Sequence, residues 1–90
     1  MEQNTVKKKK YTARQSAIDA LKGIPNNTDF SGYDFLNSCR FNLIVNGSQA
    51  KPYDSTLFRE LRRYRSTFAI TVKNLNKSIY HKGEPEFDFH

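Results

Sequence analysis

The fold is decided by the stretch PYDSTLFRELRRYRSTFAITVKNLNKSIYHK, residues 52–82. Apolar residues recur every three or four positions in its first half and every second position in its second half, with the change near Phe68. The first spacing is typical of an amphipathic helix and the second of a half-buried strand. The stretch therefore predicts a helix followed directly by a β-hairpin.

The predicted helix has one apolar face and one basic face. It is expected to start after Pro52, with Asp54 or Ser55 as its N-cap, and to run to about Arg65. The inward face holds apolar side chains at helical spacing, namely Leu57, Phe58, Leu61 and Tyr64. The outward face holds polar and basic side chains, namely Ser55, Thr56, Arg59, Arg62, Arg63 and Ser66. Glu60 lies one turn from Arg63 and is expected to reduce the positive field there.

The predicted hairpin is also basic. Phe68, Ile70 and Val72 are expected to point inward, and Asn74–Lys77 to form the turn before the return strand Ser78–Lys82. Between positions 51 and 82 the chain has only two acids, Asp54 and Glu60. The same segment has eight basic residues, namely Lys51, Arg59, Arg62, Arg63, Arg65, Lys73, Lys77 and Lys82.

Two further helices are predicted before this stretch. The first is expected to begin at Thr12, with Gln15 completing a capping box, and to end at Gly23 and Pro25. Its inward side chains are Ala17, Ile18 and Leu21. A short extended piece at Phe30-Ser31 is expected to pair with a later strand. The second helix is expected to start at Ser31 or Gly32, with a buried stripe of Phe35, Leu36, Cys39 and Leu43.

Composition limits the size and partners of the chain. Ninety residues predict one domain, and the net charge of +6 favours an anionic partner. Nucleic acid is the first choice, ahead of an anionic membrane or an acidic protein. No run approaches the roughly 18 apolar residues of a spanning helix. The single cysteine and the absence of a signal-peptide pattern favour a reducing, cytoplasmic location without membrane contact.

The charge pattern divides the chain into three parts. Residues 1–11 are interpreted as a flexible basic arm, residues 12–82 as the folded domain, and residues 83–90 as an acidic, aromatic tail. The arm contains four consecutive lysines, Lys7, Lys8, Lys9 and Lys10, which either contact phosphates or are simply solvated. The tail could lie across the basic surface in the free protein.

Enzymatic chemistry finds little support in the sequence. It contains no glycine-rich phosphate loop, no metal-ligand spacing and no nucleophile beside a base, so we expect no catalytic residues, cofactor or metal. Cys39 is expected to be a core residue, because His81 and His90 are remote in sequence. Four polar residues of the tail could be imagined as metal ligands, but a solvated tail is preferred. They are Glu84, Glu86, Asp88 and His90.

The order helix, extended piece, helix, helix and hairpin resembles a winged helix-turn-helix domain over about residues 12–82. Two segments carry the resemblance. Residues 54–65, DSTLFRELRRYR, are similar to a recognition helix, and residues 73–80, KNLNKSIY, are similar to a wing. The resemblance implies an α+β fold of three helices followed by a β-hairpin wing. The link from Leu43 to Pro52 is longer than in the simplest helix-turn-helix proteins.

The resemblance also implies where DNA would bind. Helix 53–66 would enter the major groove, with Ser55, Thr56 and Arg59 near base edges. The wing, residues 72–79, would lie on the flank. Phosphate or minor-groove contacts are implied for basic and polar residues near these elements, namely Lys51, Arg62, Arg63, Lys73, Asn74, Asn76 and Lys77. Leu75 at the wing tip either inserts into a minor groove or folds back onto the core.

The main prediction is a non-enzymatic double-stranded DNA-binding protein, a small transcriptional or mobile-element regulator. The alternative is a winged-helix module that binds a protein partner, or a second copy of itself, without binding DNA. RNA or single-stranded DNA ranks last, because the aromatic side chains of the hairpin are expected to face the core. Tyr64 and Tyr80 are accordingly predicted to be core residues and not stacking platforms. Exposed arginines could also be a merely solvated face.

Overall fold

The computed structural model describes residues 10–85, and predictions that concern residues 1–9 and 86–90 lie outside the described residues. The described part has four helices: α1 (Ala13–Gly23), α2 (Gly32–Val45), α3 (Asp54–Arg63) and α4 (Arg65–Phe68). It has three strands: β1 (Thr28–Ser31), β2 (Ile70–Asn74) and β3 (Ile79–Lys82). The strands form one antiparallel sheet in the order β1-β3-β2. The predicted α+β class is confirmed, while α4 is an addition to the three predicted helices.

The first two helices begin as the sequence predicts. The Thr12 hydroxyl accepts the Gln15 N–H at 3.1 Å, and the Ser31 hydroxyl accepts the Asp34 N–H at 3.0 Å. The prediction that Gln15 completes a capping box at α1 was wrong. Its side chain does not reach back to the start of the helix but donates to Asp19, one turn later, at 3.0 Å. Each side-chain cap satisfies a backbone N–H that has no partner within the helix.

The predicted buried stripe of α2 is confirmed, with all four of its side chains buried. Cys39 is fully buried, and burial raises the pKa of its thiol to about 12. A thiol with that pKa is protonated at neutral pH and is a poor nucleophile. The prediction that Cys39 packs in the core is therefore confirmed.

The third helix differs from its prediction at both ends. Its N-cap is Tyr53, which makes no side-chain cap, and Asp54 is already the first helical residue. The helix ends at Arg63 and not at Arg65, because Tyr64 leaves helical geometry with ψ at 15°. The single turn of α4 follows and ends at Ala69, whose φ of 56° is left-handed. This turn places Phe68 in the core, so Phe68 is not the first residue of the strand.

The sheet is centred on β3, which pairs with β1 on one side and with β2 on the other. The pairing of Phe30 with Tyr80 confirms that the short extended piece joins a later strand. Their rings stack with centroids 5.5 Å apart. Val72 was expected to be buried, but it is 40% exposed. It lies on an edge strand, directly before a bulge in which Lys73 has no pairing partner on β3.

The core lies between the three long helices and one face of the sheet. Tyr80 is buried and Tyr64 packs against the core at its margin, as predicted. The remaining buried apolar side chains of this cluster are Ala17, Ala20, Leu21, Phe30, Phe35, Leu36, Cys39, Leu57, Leu61, Phe68 and Ile70. Among residues 10–85, no helix has the length and apolarity needed to cross a membrane.

Candidate nucleic-acid interface

The arginine face of α3, which we define as Ser55, Arg59 and Arg62, is exposed. It is held outward because Leu57 and Leu61, one turn apart on the opposite side, are fully buried. Successive helical residues are rotated by about 100°, so positions 55, 59 and 62 share one stripe. Within the described part of the chain, neither Arg59 nor Arg62 has an ion-pair partner. Both guanidinium groups can therefore reach an external anion.

Arg63 is also exposed, but its charge is already engaged. Glu60 is only 7% exposed, and its Oε1 lies 3.2 Å from Nε of Arg63 and 3.3 Å from Nε of Arg14. The prediction that Glu60 offsets Arg63 is confirmed. The contribution of Arg14 was missed, because Arg14 and Glu60 are 46 residues apart in sequence. Only the tertiary packing of α1 on α3 brings them together.

The N-terminal end of α3 contains another ion pair that the sequence did not predict. Arg40 of α2 contacts the carboxylate of Asp54 in the first turn of α3. This exposed pair links α2 to the start of α3. Lys51 and Ser55 are exposed beside it, whereas Thr56 is half-buried and its N–H donates to the Tyr53 carbonyl at 3.0 Å.

The hairpin is attached to the helices at Gly32. The Gly32 N–H donates to the Ser78 carbonyl at 2.7 Å. A β-carbon on Gly32 would lie 3.0 Å from the ring of Phe58 and 3.2 Å from Cβ of Ser78, so α3 and the hairpin meet at this glycine. The Phe58 side chain of α3 and the last residue of the hairpin turn, Ser78, therefore both lie against the start of α2.

Lys73 points across the outer face of the sheet to Asp29 of β1. Its Nζ donates to Oδ2 of Asp29 at 3.2 Å, and Nδ1 of His81 lies 2.6 Å from Oδ1 of the same carboxylate. The hydrogen bond from His81, followed by the one from Lys73, lowers the pKa of Asp29. Asp29 therefore competes with any external anion for Lys73.

The turn at the hairpin tip spans Leu75–Ser78, one residue later than predicted. The Asn74 side chain is used internally, because its Oδ1 accepts the Lys77 N–H at 3.1 Å. Asn76 and Lys77 are exposed. Leu75 is 73% exposed, so of the two interpretations of this residue, the one in which it folds back onto the core was wrong.

Lys82 does not belong to the basic surface. It is 3% exposed, and its Nζ donates to the carbonyls of Leu21 and Ile24 at 2.7 Å each. Burial lowers its pKa. Strand alternation could have revealed this, because Lys82 is two residues after the buried Tyr80 and points to the same face. The ammonium group satisfies carbonyls at the C-terminal end of α1.

The remaining predicted groups lie at the ends of the described region. Lys10 is exposed, while Lys7–Lys9 of the arm and three of the four tail residues considered as ligands lie outside the described residues. Within residues 10–85, no cluster of three or more His, Cys, Asp or Glu side chains could hold a metal ion. On α2, a separate uncharged patch is exposed, formed by Phe41, Ile44 and Val45.

Comparison of the chain with protein-family models, curated proteins and solved structures found no match.

Proposed function

We propose that this chain is a winged helix-turn-helix domain that binds double-stranded DNA and acts as a small transcriptional or mobile-element regulator without catalysis. The order of elements supports this, because a short strand between α1 and α2 pairs with the hairpin that follows the helices. In such a domain α3 enters the major groove and the β2–β3 hairpin contacts the adjacent backbone.

The observation that carries the proposal is the arginine face of α3. Arg59 and Arg62 extend from a helix whose other side is anchored in the core, so their positions are fixed by a rigid element. The planar guanidinium group can donate hydrogen bonds to O6 and N7 of one guanine at the same time, or it can bind a phosphate. Ser55, at the start of the same stripe, can donate to a phosphate or a base edge.

The hairpin extends this surface. Lys77 and Asn76 are exposed at its turn, and the end of the turn at Ser78 meets Phe58 of α3 at Gly32. If about six basic groups contact phosphates, the slope of log K against log salt is about −5, taking ~0.9 for each contact. Each good bidentate base contact adds roughly 1–3 kcal/mol of discrimination between sequences.

The test is binding to mixed-sequence duplex DNA across a salt series. We compare the wild type with the double variant Arg59→Ala/Arg62→Ala, which removes two cations that have no ion-pair partner among residues 10–85. Lys22→Glu is the matched control, because it makes the same change in net charge on an exposed residue of α1. The double variant should bind more weakly and flatten the salt slope by about two units, taking ~0.9 per contact, whereas the control should keep the wild-type slope.

Two results would contradict DNA binding through α3. The first is the absence of binding by the wild type at physiological salt. The second is a double variant that binds as the wild type does. Arg63 is left unchanged in this experiment because its pairing with Glu60 means that Arg63→Ala would also leave a nearly buried carboxylate with one partner fewer.

A second candidate function is binding to a protein or to a second copy of the chain. It is favoured by the patch of Phe41, Ile44 and Val45, because an uncharged apolar patch on a basic protein is a common feature of interaction surfaces. Light scattering over a range of concentrations tests self-association. A mass that rises with concentration and returns to that of the monomer in Ile44→Arg would support it, and a constant monomer mass would exclude a homodimer.

A further inference from the structure

The hairpin tip exposes one large apolar side chain among polar ones. Leu75 is 73% exposed, and its neighbours are Asn74 and Asn76, with Lys73 and Lys77 next along the chain. An isolated exposed leucine is ordinary on a protein surface, so exposure alone carries no argument. The argument comes from the rigidity of the turn and from the charges that surround it.

The turn that carries Leu75 is closed by internal hydrogen bonds. The Lys77 N–H donates to Oδ1 of Asn74, and the Ser78 N–H donates to the Leu75 carbonyl, both at 3.1 Å. The Ser78 carbonyl in turn accepts the Gly32 N–H at 2.7 Å, which anchors the turn to the start of α2. Leu75 is thus presented by a closed turn, and little conformational entropy is lost when it enters a binding site.

The charges around Leu75 indicate the partner. Lys77, two residues after Leu75, is exposed and has no ion-pair partner among residues 10–85, whereas Lys73, two residues before it, is held by Asp29. The asparagines that flank Leu75 carry no charge. An exposed apolar side chain beside an available cation is complementary to a narrow apolar slot bordered by negative charge. A base-pair step in the minor groove of duplex DNA has this character, because stacked bases lie between two phosphate backbones.

We propose that Leu75 inserts between adjacent base pairs from the minor groove and kinks the duplex toward the major groove. The proposal rests on the function proposed above, because it requires that the hairpin contact duplex DNA. Lys77 contacts one phosphate backbone, and the leucine replaces part of the stacking between two base pairs. The hairpin then selects sites by the ease with which a step unstacks, and pyrimidine–purine steps such as TA are favoured.

The test uses an alternating A·T duplex that carries a fluorescent donor and acceptor at its two ends, with 2-aminopurine replacing some adenines. Energy transfer reports bending and 2-aminopurine emission reports unstacking. The wild type should increase both signals. Leu75→Ala should lose both increases and bind about tenfold more weakly, with an unchanged salt slope because no cation is removed. Leu75→Met, which keeps a large apolar side chain, should recover both signals.

Tyr33→Ala is the matched control, because Tyr33 is 73% exposed, as Leu75 is, but lies on α2 and belongs to none of the surfaces proposed above. It should behave as the wild type. A wild type that binds the duplex without bending or unstacking it overturns the wedge and leaves DNA binding intact. A Leu75→Ala variant with wild-type signals does the same. A wild type that does not bind duplex DNA overturns both proposals together.

Discussion

Asp29 is the residue that most directly controls the charge of the hairpin. It holds Lys73 and His81 at once, so its carboxylate offsets positive charge next to the proposed DNA surface. Replacement by asparagine keeps the shape of the side chain and removes this charge. Lys73 is then available to a phosphate.

Asp29→Asn should therefore bind mixed-sequence duplex DNA about threefold to tenfold more tightly at low salt, with a salt slope steeper by about 0.9. Asp19→Asn, which makes the same charge change on α1, is the control and should have a smaller effect. Equal effects of the two substitutions would mean that only net charge matters. A fluorescence-anisotropy titration at several salt concentrations distinguishes these results.

The same carboxylate should contribute stability at neutral pH that is lost in acid. The pKa of Asp29 is lower in the folded state than in the unfolded state, so the unfolded state binds more protons as the pH falls. The stabilisation is present above the unfolded pKa of about 3.9 and is lost as the pH falls through the folded pKa. Asp29→Asn should accordingly lose less stability than the wild type between neutral pH and strong acid, measured by urea unfolding. If the free energies of unfolding of the wild type and Asp29→Asn change with pH in parallel, the contacts of Asp29 with Lys73 and His81 contribute nothing to stability.

Lys82 offers a prediction about stability that does not depend on function. Lys82→Met keeps most of the side-chain volume but leaves the carbonyls of Leu21 and Ile24 without their donor. The free energy of unfolding should fall by roughly 1–3 kcal/mol, measured by urea unfolding. Lys77→Met, at an exposed position of the same hairpin, should change it by less than about 0.5 kcal/mol. Equal stability of the two variants would show that the buried ammonium is dispensable.

At the scale of elements, the junction of α4 with β2 is strained. Ala69 has a φ of 56°, in the left-handed region that costs a non-glycine residue about 1–2 kcal/mol. Its carbonyl accepts the Gly83 N–H at 2.8 Å, which fixes the conformation. Glycine adopts this conformation without a steric penalty but is more flexible in the unfolded chain.

Ala69→Gly should raise the free energy of unfolding by up to about 1 kcal/mol, because relief of strain exceeds the added entropy of the unfolded chain. Ala50→Gly is the control, because Ala50 lies in an exposed loop and has no positive φ. It should be neutral or slightly destabilising. Destabilisation by Ala69→Gly in thermal and urea unfolding would contradict the strain argument.

At the scale of the whole molecule, the net charge of +6 results from a basic surface and an acidic tail. Removal of residues 84–90 takes away three acids, Glu84, Glu86 and Asp88. If the tail covers the basic surface, the truncated protein should bind duplex DNA more tightly at low salt. Anisotropy titrations at low and moderate salt test this, and unchanged or weaker binding would count against self-masking. A small effect that vanishes with salt would indicate long-range charge alone.

The sequence by itself determined the types and order of the main elements. Periodicity showed which side chains of α2 and α3 face inward, because a helix that buries one face must repeat its apolar residues every three or four positions. The same reasoning placed Cys39 in the core and identified Arg59 and Arg62 as outward-facing. These features depend on near neighbours along the chain, and near neighbours are visible in a sequence.

Only the tertiary structure decided which charges remain available. Glu60 engages Arg14 in addition to the Arg63 that its spacing predicted, Asp29 engages Lys73, and Lys82 is buried against the end of α1. The partners in the pairs Arg14–Glu60, Lys73–Asp29 and Lys82–Leu21 are 44 to 61 residues apart, so no local pattern predicts them. The end of α3 at Arg63 also depends on tertiary packing, because the turn that follows places Phe68 in the core. The spacing of apolar residues predicts which way a side chain points. Its partner is decided only when elements distant in sequence pack together.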